Sequence, residues 1–489
     1  MIEKTVGRPP VSPKRRGAES PRRPLPVLRR ETPPTGQAVP GEEALQAALA
    51  LATTSDAVPQ APLRRTTRRT LSRRGIIWLG QTCNLHCEFC YFIDRVHDRT
   101  HAEHAFMPLE KAREICRTLV EVYGNTAIDI EGGEPTLYPE IFELLRYCNE
   151  IGLRPTLITN GLVLDSIERC RRYREAGIND FKISIHGLGA VHDGLVGRAG
   201  AHARQMRALR NLQETGIPFR FNVVLTPMVV PQIPDIARLA LATGALCVNW
   251  LGFNPHEDQE HRPERFRLIP RFTELRPPLT EAMDILEQAY IETNVRYVPH
   301  CAVEERHRKN VYHFQQLFYD HREWDWASWA WTTLPPQRRA EGPPSEPIQL
   351  SSLRRWLRWV GPLARFSRVP VLGGLLSAKR VVNADASRRL LYRMQRLLPG
   401  SPPADEAEKA ALYQGIARVH ARVDCNSGRA PACEQCAARD ICSGIYRDYV
   451  ELFGLAEATP LPGPGRVTDA LHFIRQQEKL VERYDEAWA

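Results

Sequence analysis

The sequence predicts an α/β protein built on a partial (β/α)6 barrel, with a disordered N-terminal tail. From residue 75 to about residue 255, short runs rich in β-branched and aromatic residues alternate with longer amphipathic runs, several of which close at a glycine. Strands that alternate with helices form βαβ crossovers and therefore a parallel sheet. The predicted strands are Ile76–Gly80, Ala127–Glu131, Arg154–Ile158, Asp180–Ile185, Arg220–Leu225 and Leu246–Leu251, and the predicted helices include Leu109–Tyr123, Pro139–Ile151 and Ala201–Thr215.

The first 74 residues are predicted to be a disordered tail rich in arginine and proline. They hold 15 Lys and Arg against 6 Asp and Glu and no aromatic residue, so they can bury too little surface to offset the entropy of ordering. A short helix around Glu42 to Leu51 is compatible with this composition. Because the tail carries the whole net charge of +9, the remainder is neutral and nucleic acid is not expected as a partner.

The cysteine pattern indicates a reducing compartment. Twelve cysteines fall mainly into two tight groups, which is typical of metal ligands rather than of a disulfide framework. Residues 72–80 resemble a twin-arginine export signal, but their apolar stretch is shorter than the ~7 to 15 residues such a signal needs, so we interpret it as the first strand. No run approaches the ~20 apolar residues of a membrane-spanning helix. A cytoplasmic protein is expected.

Residues 256–422 are predicted to connect the barrel to the C-terminal region and to include a candidate substrate lid. A helix is expected over Thr280–Thr293, followed by a strand at Val295–Val298 that leads to Cys301. A tryptophan-rich patch spans residues 324–331. Leu353 to Arg380 mixes Arg, Trp and Leu, which fits either peripheral contact with a membrane surface or a lid over the active site.

The residues that carry the chemistry begin directly after the first predicted strand. Cys83, Cys87 and Cys90 form C-x3-C-x2-C. Three thiolates this close together can hold three corners of a cubane iron-sulfur cluster, which leaves the fourth iron open. A zinc site is the alternative, although zinc sites more often use four ligands in paired arrangements.

This motif resembles the signature of the radical SAM superfamily, C-x3-C-x-aromatic-C, with Phe89 at the aromatic position. The resemblance implies that Cys83, Cys87 and Cys90 are both metal ligands and catalytic residues. They would hold a [4Fe-4S] cluster whose open iron binds S-adenosylmethionine, and reductive cleavage would give methionine and a 5′-deoxyadenosyl radical. It also implies reduced flavodoxin or ferredoxin as the electron donor.

Further segments near the ends of the predicted strands resemble the family's cofactor-binding motifs. The resemblance implies that the Gly-Gly-Glu segment binds the methionyl amino group through backbone carbonyls. It also implies that Arg198 pairs with the methionyl carboxylate, which suits the bidentate geometry of a guanidinium. Simple turns, a surface arginine and a strand-edge asparagine are the alternatives. The predicted cofactor-binding residues are Phe89, Gly132, Gly133, Glu134, Thr159, Asn160, Ser184, Arg198 and Asn222.

The second cysteine group is Cys425, Cys433, Cys436 and Cys442. It resembles the auxiliary-cluster domains called SPASM and twitch, which share C-x2-C-x5-C, but Tyr446 stands where a further cysteine is expected. The resemblance therefore implies one second [4Fe-4S] cluster rather than two, with Cys301 or Cys425 as the fourth ligand and Cys301 preferred. A structural zinc site stays open.

The domain order implied is a tail (1–74), a radical SAM core (75–255), an insert (256–422) and an α+β auxiliary-cluster domain with a C-terminal helix (423–489). The four other cysteines are expected in the core; they are Cys116, Cys148, Cys170 and Cys247.

The function implied is a radical SAM oxidoreductase or related transformation. The radical would abstract hydrogen from an unidentified small-molecule, lipid-linked or peptide substrate, and the auxiliary cluster would aid oxidation or substrate binding. A peptide maturase of the same family is one alternative. The other is a non-catalytic redox sensor whose tail binds nucleic acid.

Overall fold

The computed structural model describes residues 40–53, 64–67, 69–71, 74–101, 103–121, 125–255, 257–313, 427–469, 471–481 and 486–488. The tryptophan-rich patch, the Leu353 to Arg380 segment and Cys425 lie outside the described residues, as do residues 1–39 and 54–63 of the predicted tail.

An eight-stranded parallel sheet, curled into a half-barrel, forms the centre of the protein and confirms the predicted α/β class. Its strand order is β10-β9-β8-β7-β6-β5-β4-β3, so successive strands are neighbours throughout. The sheet contains the six strands predicted for the barrel, the strand predicted near Val295–Val298 with shifted bounds, and one short strand more. The strands are β3 (Arg74–Trp78), β4 (Ala127–Glu131), β5 (Arg154–Thr159), β6 (Asp180–Ser184), β7 (Phe219–Leu225), β8 (Cys247–Gly252), β9 (Glu292–Arg296) and β10 (Val311–Tyr312).

Helices connect these strands and cover one face of the sheet. Three of them match the predicted positions closely, and α7 ends as expected at Gly216, whose φ of 64° is the left-handed conformation that glycine adopts freely. The helices are α1 (Pro40–Ala52), α2 (Ile93–His97), α3 (Leu109–Glu121), α4 (Ile141–Glu150), α5 (Ile167–Glu175), α6 (Ala190–Leu195), α7 (Ala201–Thr215), α8 (Ile233–Thr243), α9 (Phe272–Gln288) and α10 (Arg447–Phe453). Among the described residues, no helix is long and apolar enough to cross a membrane.

The two faces of the sheet differ in chemistry, as β7 illustrates. Phe219, Phe221, Val223 and Leu225 are fully buried in the main hydrophobic core, whereas the residues between them are half-buried. Because successive side chains of a strand point to opposite faces, the half-buried set lies on the other, inner face of the curl. That inner face is where a ligand can be held.

Helix α9 and strand β9 correct the predictions for residues 280–298. The helix covers Phe272–Gln288 rather than Thr280–Thr293, and the strand covers Glu292–Arg296 rather than Val295–Val298. Thr280, expected to cap the helix, lies inside it, and so do Pro277 and Pro278, which disfavour a helix interior. Apolar residues at helical spacing continue across the prolines and are all buried, so packing overrides the local signal; they are Phe272, Leu275, Leu279, Ala282, Met283 and Leu286.

The disordered-tail prediction does not hold for residues 40–53. Helix α1 buries Leu45, Ala48 and Ala52 against the main core, next to α7 and α8. The amide of Gln213 in α7 donates to the Ala52 carbonyl at 2.6 Å, which satisfies one of the free carbonyls at the end of the helix. A short apolar stripe is sufficient to order this segment when a packing partner is present.

Within the described part of residues 427–488, the chain is α-helical only over Arg447–Phe453. After the short helix α10, the described chain ends in a 3₁₀ turn at Ile474–Gln476 and the strands β11 (Lys479–Val481) and β12 (Glu486–Trp488). These strands pair antiparallel with β1 (Arg64–Thr66) and β2 (Arg69–Leu71), respectively. The backbone is extended because it pairs with distant strands, which no local pattern reveals.

Candidate functional site

The three clustered cysteines lie in a loop of residues 82–92, termed here the cysteine loop, at the carboxyl end of the sheet after β3. Backbone N–H groups of His86 and Glu88 donate to the carbonyls of Val196 and Leu195, each at 3.0 Å. The N–H of Cys90 donates to the Cys87 carbonyl at 3.1 Å. The loop is therefore fixed at two points against the end of α6, and one backbone hydrogen bond links Cys90 to Cys87.

The electrostatics of the three thiols disfavour free thiolates. Burial raises the pKa of Cys83 to about 12 and that of Cys90 to about 11. It also raises the pKa of Cys87 well above its usual value, and the charges of the other two sulfurs add to this rise. The Leu85 N–H donates to the Cys83 sulfur at 3.4 Å, an interaction that opposes the shift. Thiolates here need a bound cation or cationic cluster to be stable.

The spacing of the thiols bears on what they can bind. Within the described ranges, no group of three or more His, Cys, Asp or Glu side chains is close enough to hold a single metal ion. Three thiols in one loop, with the Leu85 N–H directed at the Cys83 sulfur, fit the separate corners of an iron-sulfur cubane.

The Gly-Gly-Glu turn after β4 packs directly on the chain that enters the cysteine loop. The N–H groups of Gly133 and Glu134 donate to the carbonyls of Gly80 and Thr82 at 2.8 and 2.9 Å. A Cβ atom at Gly133 would lie 2.4 Å from the Thr82 carbonyl oxygen. Glycine is required here because two backbone segments approach more closely than any side chain permits.

Glu134 is buried and its carboxylate joins the ends of two strands. One oxygen accepts hydrogen bonds from the Thr136 N–H at 3.0 Å and from the hydroxyls of Thr136 and Thr159 at 2.6 Å each. The other oxygen accepts from the Asn160 N–H at 2.8 Å. Burial raises the pKa of Glu134, and these hydrogen bonds oppose the rise. The side chain therefore shapes the site by holding β4 and β5 together.

Two predicted residues meet at Asn84 in the cysteine loop. The amide of Asn160 donates to the Asn84 side-chain oxygen at 2.7 Å, and the Arg198 guanidinium donates to the Asn84 carbonyl at 3.1 Å. Segments from the ends of β5 and α6 thus converge on the residue that follows Cys83. This places Arg198 beside the cysteine loop.

Gln205 in α7 is a site residue that sequence reasoning missed. Its amide donates to the carbonyls of Asn160 and Ser184 at 3.0 and 2.8 Å, so it ties the ends of β5 and β6 together. The side chain is fully buried and its oxygen has no hydrogen-bond partner. In the sequence, the one sign of this role is that Gln205 occupies a position on the apolar face of an amphipathic helix.

A row of polar residues crosses the inner face of the half-barrel. Ser184, Asn222, Asn249 and Asn294 are partners in register on β6 to β9. The amide of Asn249 donates to the Asn222 oxygen at 2.9 Å, and the amide of Asn294 donates to the Asn249 oxygen at 3.1 Å. Asn249 and Asn294 were not predicted, because only the sheet register brings them beside Asn222.

Phe89, the aromatic residue of the cysteine motif, packs against the end of β6. Its ring centroid lies 4.4 Å from that of His186 in an edge-to-face arrangement. The Val224 N–H donates to Nδ1 of His186 at 3.1 Å, so the neutral imidazole carries its proton on Nε2. Burial lowers the pKa of His186 to about 3 and keeps it neutral.

Comparison with known families assigns this part of the chain. The family model described as the radical SAM superfamily matches residues 79–242. Residues 79–242 of this chain therefore match the radical SAM superfamily. The matched span begins just before the cysteine loop and ends in α8, so it includes every predicted cofactor-binding residue.

Curated relatives cover only part of the chain. The AdoMet-dependent heme synthase of Oleidesulfovibrio alaskensis is 33% identical over 174 residues, which are 35% of this chain and 43% of the relative. The PqqA peptide cyclase of Rhodopseudomonas palustris is 31% identical over 171 residues, 35% of this chain and 44% of the relative. This chain thus spans less than half the length of either relative.

The similarity to solved structures is lower than the similarity to these curated relatives. The structure of SuiB from Streptococcus suis bound to S-adenosylmethionine gives a TM-score of 0.38 at 19% identity, over 53% of this chain and 55% of that chain. At these values it supports no argument about function.

A second cysteine site lies beyond the radical SAM domain. One pocket is lined by Cys301, Cys433, Cys436 and Cys442, together with Arg429 and Thr459. Backbone N–H groups of Leu461 and Gly444 donate to the sulfurs of Cys436 and Cys442 at 3.3 and 3.4 Å. Burial raises the pKa of Cys442 to about 12 and raises that of Cys301. The structure brings Cys301 to the C-terminal cysteines; which group they bind stays a prediction.

The remaining described cysteines are buried, as expected of core residues. Cys116, Cys148 and Cys170 belong to the main core, and the sulfurs of Cys116 and Cys148 are 3.7 Å apart. Cys247 is buried near Asn249 and Glu292 on the inner face.

Proposed function

We propose that this radical SAM protein cleaves S-adenosylmethionine at a cluster held by Cys83, Cys87 and Cys90. The observation that carries the proposal is the direct packing of the Gly-Gly-Glu turn on the chain entering the cysteine loop, through Gly133 and Glu134. Two motifs about fifty residues apart in sequence thereby form one structural unit. A zinc site would have no need of such a turn beside its thiols.

Within this proposal each residue has a separate task. When bound, a [4Fe-4S] cluster would supply the electron that cleaves the cofactor into methionine and a 5′-deoxyadenosyl radical. The carbonyls of the Gly-Gly-Glu turn would bind the methionyl amino group and Arg198 the carboxylate. Ser184 and Asn222 would offer hydrogen bonds from the inner face. Glu134 and Gln205 would act indirectly, because their polar groups contact other residues of the site.

The inner face also supports a hydrogen-bonding substrate. Its half-buried positions include Glu131, Lys182 and Arg220. Lys182 pairs with Asp129 at 2.6 Å and Arg220 with Asp180 at 3.1 Å, so these charges are largely compensated within the sheet. Burial raises the pKa of Glu131 to about 7, although the Trp78 indole donates to it. A substrate in this space would meet polar rather than strongly charged walls.

The second cysteine site would hold one auxiliary iron-sulfur cluster. The four thiols that line the pocket support this part of the proposal, since four cysteines are the usual ligand set of such clusters. An auxiliary cluster could take up the electron left on the substrate after hydrogen abstraction, or could bind the substrate directly.

The class of substrate is inferred from the named relatives rather than from the geometry of the site. Relatives named as a heme synthase and as a peptide cyclase match similar shares of this chain, at 33% and 31% identity. Peptide maturation is therefore a second candidate, supported by the peptide cyclase. Small-molecule and lipid-linked substrates stay within the proposal.

Anaerobic reconstitution with iron, sulfide and dithionite tests the proposal. We expect about eight irons per chain and 5′-deoxyadenosine on adding S-adenosylmethionine, with reduced flavodoxin or ferredoxin able to replace dithionite. The triple variant Cys83→Ala, Cys87→Ala, Cys90→Ala should form none. The matched control changes the core residues Cys116, Cys148 and Cys170 to Ala and should retain the activity.

Two outcomes would contradict the proposal. Formation of 5′-deoxyadenosine by the first triple variant would remove the cluster assignment. A wild-type chain that binds iron but forms no 5′-deoxyadenosine would favour the non-catalytic redox sensor.

A further inference from the structure

A segment outside the matched family span lies along the cysteine loop. Residues 258–267, here called the strap, follow β8 and pass beside residues 88–95. The Asp258 N–H donates to the Tyr91 carbonyl at 3.0 Å, and the Asp258 carboxylate accepts from the Asp94 N–H at 3.0 Å. The Arg267 guanidinium donates to the Glu88 carboxylate at 2.9 Å. Both ends of the strap thus contact the loop.

Gln259 is the buried residue of the strap, with 1% of its surface exposed. Its amide nitrogen donates to the Glu88 carbonyl at 2.7 Å and to the Cys90 carbonyl at 3.0 Å. Both hydrogens of one amide group are therefore used on two carbonyls, one within the cysteine motif and one on its third cysteine. The contact fixes the peptide plane between Glu88 and Phe89 and the plane between Cys90 and Tyr91.

The strap is itself held in place, which gives Gln259 a rigid base. Arg262 pairs with Asp94 at the start of α2. The Arg265 guanidinium donates to the Asp448 carboxylate in α10 at 2.7 Å, and both side chains are more than four-fifths buried. Ion pairs removed from solvent in this way fix geometry more firmly than exposed ones.

We propose that Gln259 is a positioning residue for the cluster at Cys83, Cys87 and Cys90. It would hold Cys90 at the angle at which its sulfur can bind an iron while Cys83 and Cys87 bind two others. The inference rests on the proposed function, since it concerns the same cluster. Its physical basis is that two partly buried carbonyls would lose their amide donor without Gln259, and the loop would turn to find other partners.

The test compares two buried glutamines that make the same kind of contact. Gln213 donates to the carbonyls of Ala52 and Leu209 at 2.6 and 3.1 Å, remote from the cysteine loop. Gln259→Met and Gln213→Met each remove one amide with little change of volume. The measurements are the unfolding midpoint in urea, the iron lost to a chelator with time, and the electron paramagnetic resonance signal with and without S-adenosylmethionine.

We expect Gln259→Met to lose its S-adenosylmethionine-responsive signal about tenfold faster in chelator than wild type, because a lost buried hydrogen bond changes equilibria by about this factor. Gln213→Met should lose the signal at the wild-type rate, even if its unfolding midpoint in urea falls as much as that of Gln259→Met. If Gln259→Met does not fold, the same measurements are made on Gln259→Asn, whose side chain is too short to reach both carbonyls. We expect this variant also to lose its S-adenosylmethionine-responsive signal faster than wild type.

Equal loss rates for the folded Gln259 and Gln213 variants would overturn the inference while leaving the proposed function intact. A wild-type chain without a responsive signal would instead refute the proposed function itself.

Discussion

Gly133 sits where the backbone of one motif touches the backbone of another. A methyl group at this position would meet the Thr82 carbonyl at 2.4 Å, adjacent to Cys83 in the chain, and a carbonyl in the backbone cannot rotate away as a flexible side chain can. The glycine pair of the Gly-Gly-Glu turn therefore matters to the cysteine loop as well as to any ligand of the turn itself.

We predict that Gly133→Ala lowers the free energy of unfolding by about 1–3 kcal/mol, as overpacking does, and reduces the iron bound per chain. Urea unfolding and iron analysis measure the two effects. Gly194→Ala is the control, because a Cβ atom there has no neighbour within 4 Å. Equal iron content in the two variants would show that the turn does not shape the cysteine loop.

Glu134 belongs to the Gly-Gly-Glu motif, but its side chain acts on the site indirectly, through neighbouring residues. The resemblance to the family assigned it to the cofactor, yet both carboxylate oxygens are engaged by Thr136, Thr159 and Asn160. Its contribution to a bound cofactor would pass through the turn whose shape it maintains.

At the scale of elements, β9 is held by a strand from the far end of the chain. The Glu292 carboxylate contacts the Lys479 ammonium and accepts a hydrogen bond from the Leu480 N–H at 2.9 Å. Burial opposes ionisation of Glu292, but Lys479 and the hydrogen bonds outweigh it and lower the pKa to about 2. This pair anchors β11 against the inner face of the barrel.

The low pKa of Glu292 predicts a pH-dependent contribution to stability. Because the folded value lies below the ordinary 4.5, the contribution is present above about pH 4.5 and is lost as pH falls towards 2. Lys479→Met should lower the free energy of unfolding at pH 7 by about 3–5 kcal/mol, since it leaves a buried carboxylate unpaired. The deficit should shrink below pH 4.5.

Urea unfolding at several pH values measures this, with the exposed Lys111→Met as control. A deficit that stays constant between pH 7 and pH 3 would mean that Lys479 acts through packing of its side chain rather than through charge.

At the scale of the whole molecule, the second cysteine site joins two distant parts of the chain. Cys301 follows β9, whereas Cys433, Cys436 and Cys442 come more than a hundred residues later, and all four line one pocket. The Arg276 guanidinium in α9 donates to the Cys301 carbonyl and so fixes Cys301 from the barrel side. The pocket therefore depends on packing between the barrel and the C-terminal region.

We predict that Cys301→Ala reduces the iron content from about eight to about four per chain while 5′-deoxyadenosine is still formed without substrate. Cys425→Ala and the core variant Cys170→Ala should leave the iron content unchanged. Iron analysis with product chromatography checks both quantities. If Cys301→Ala retains about eight irons and Cys425→Ala falls to about four, the fourth ligand is Cys425 rather than Cys301.

The sequence by itself determined the features that depend on neighbouring residues. The six strands of the barrel core and helix α7 follow from local periodicity and closing glycines. The cysteine motif and the Gly-Gly-Glu turn are likewise short segments, and their family resemblance agrees with the radical SAM match over residues 79–242. Such features are encoded within a few residues of one another.

The tertiary structure alone decided the features that depend on distant partners. Gln205, Asn249 and Gln259 show no motif, and they matter only because folding places their amides against the cysteine loop or along the inner row. The packing of α1 and the extended path of β11 are decided in the same way. Both are stabilised by burial and pairing against segments more than a hundred residues away, and local propensity contains no information about such partners.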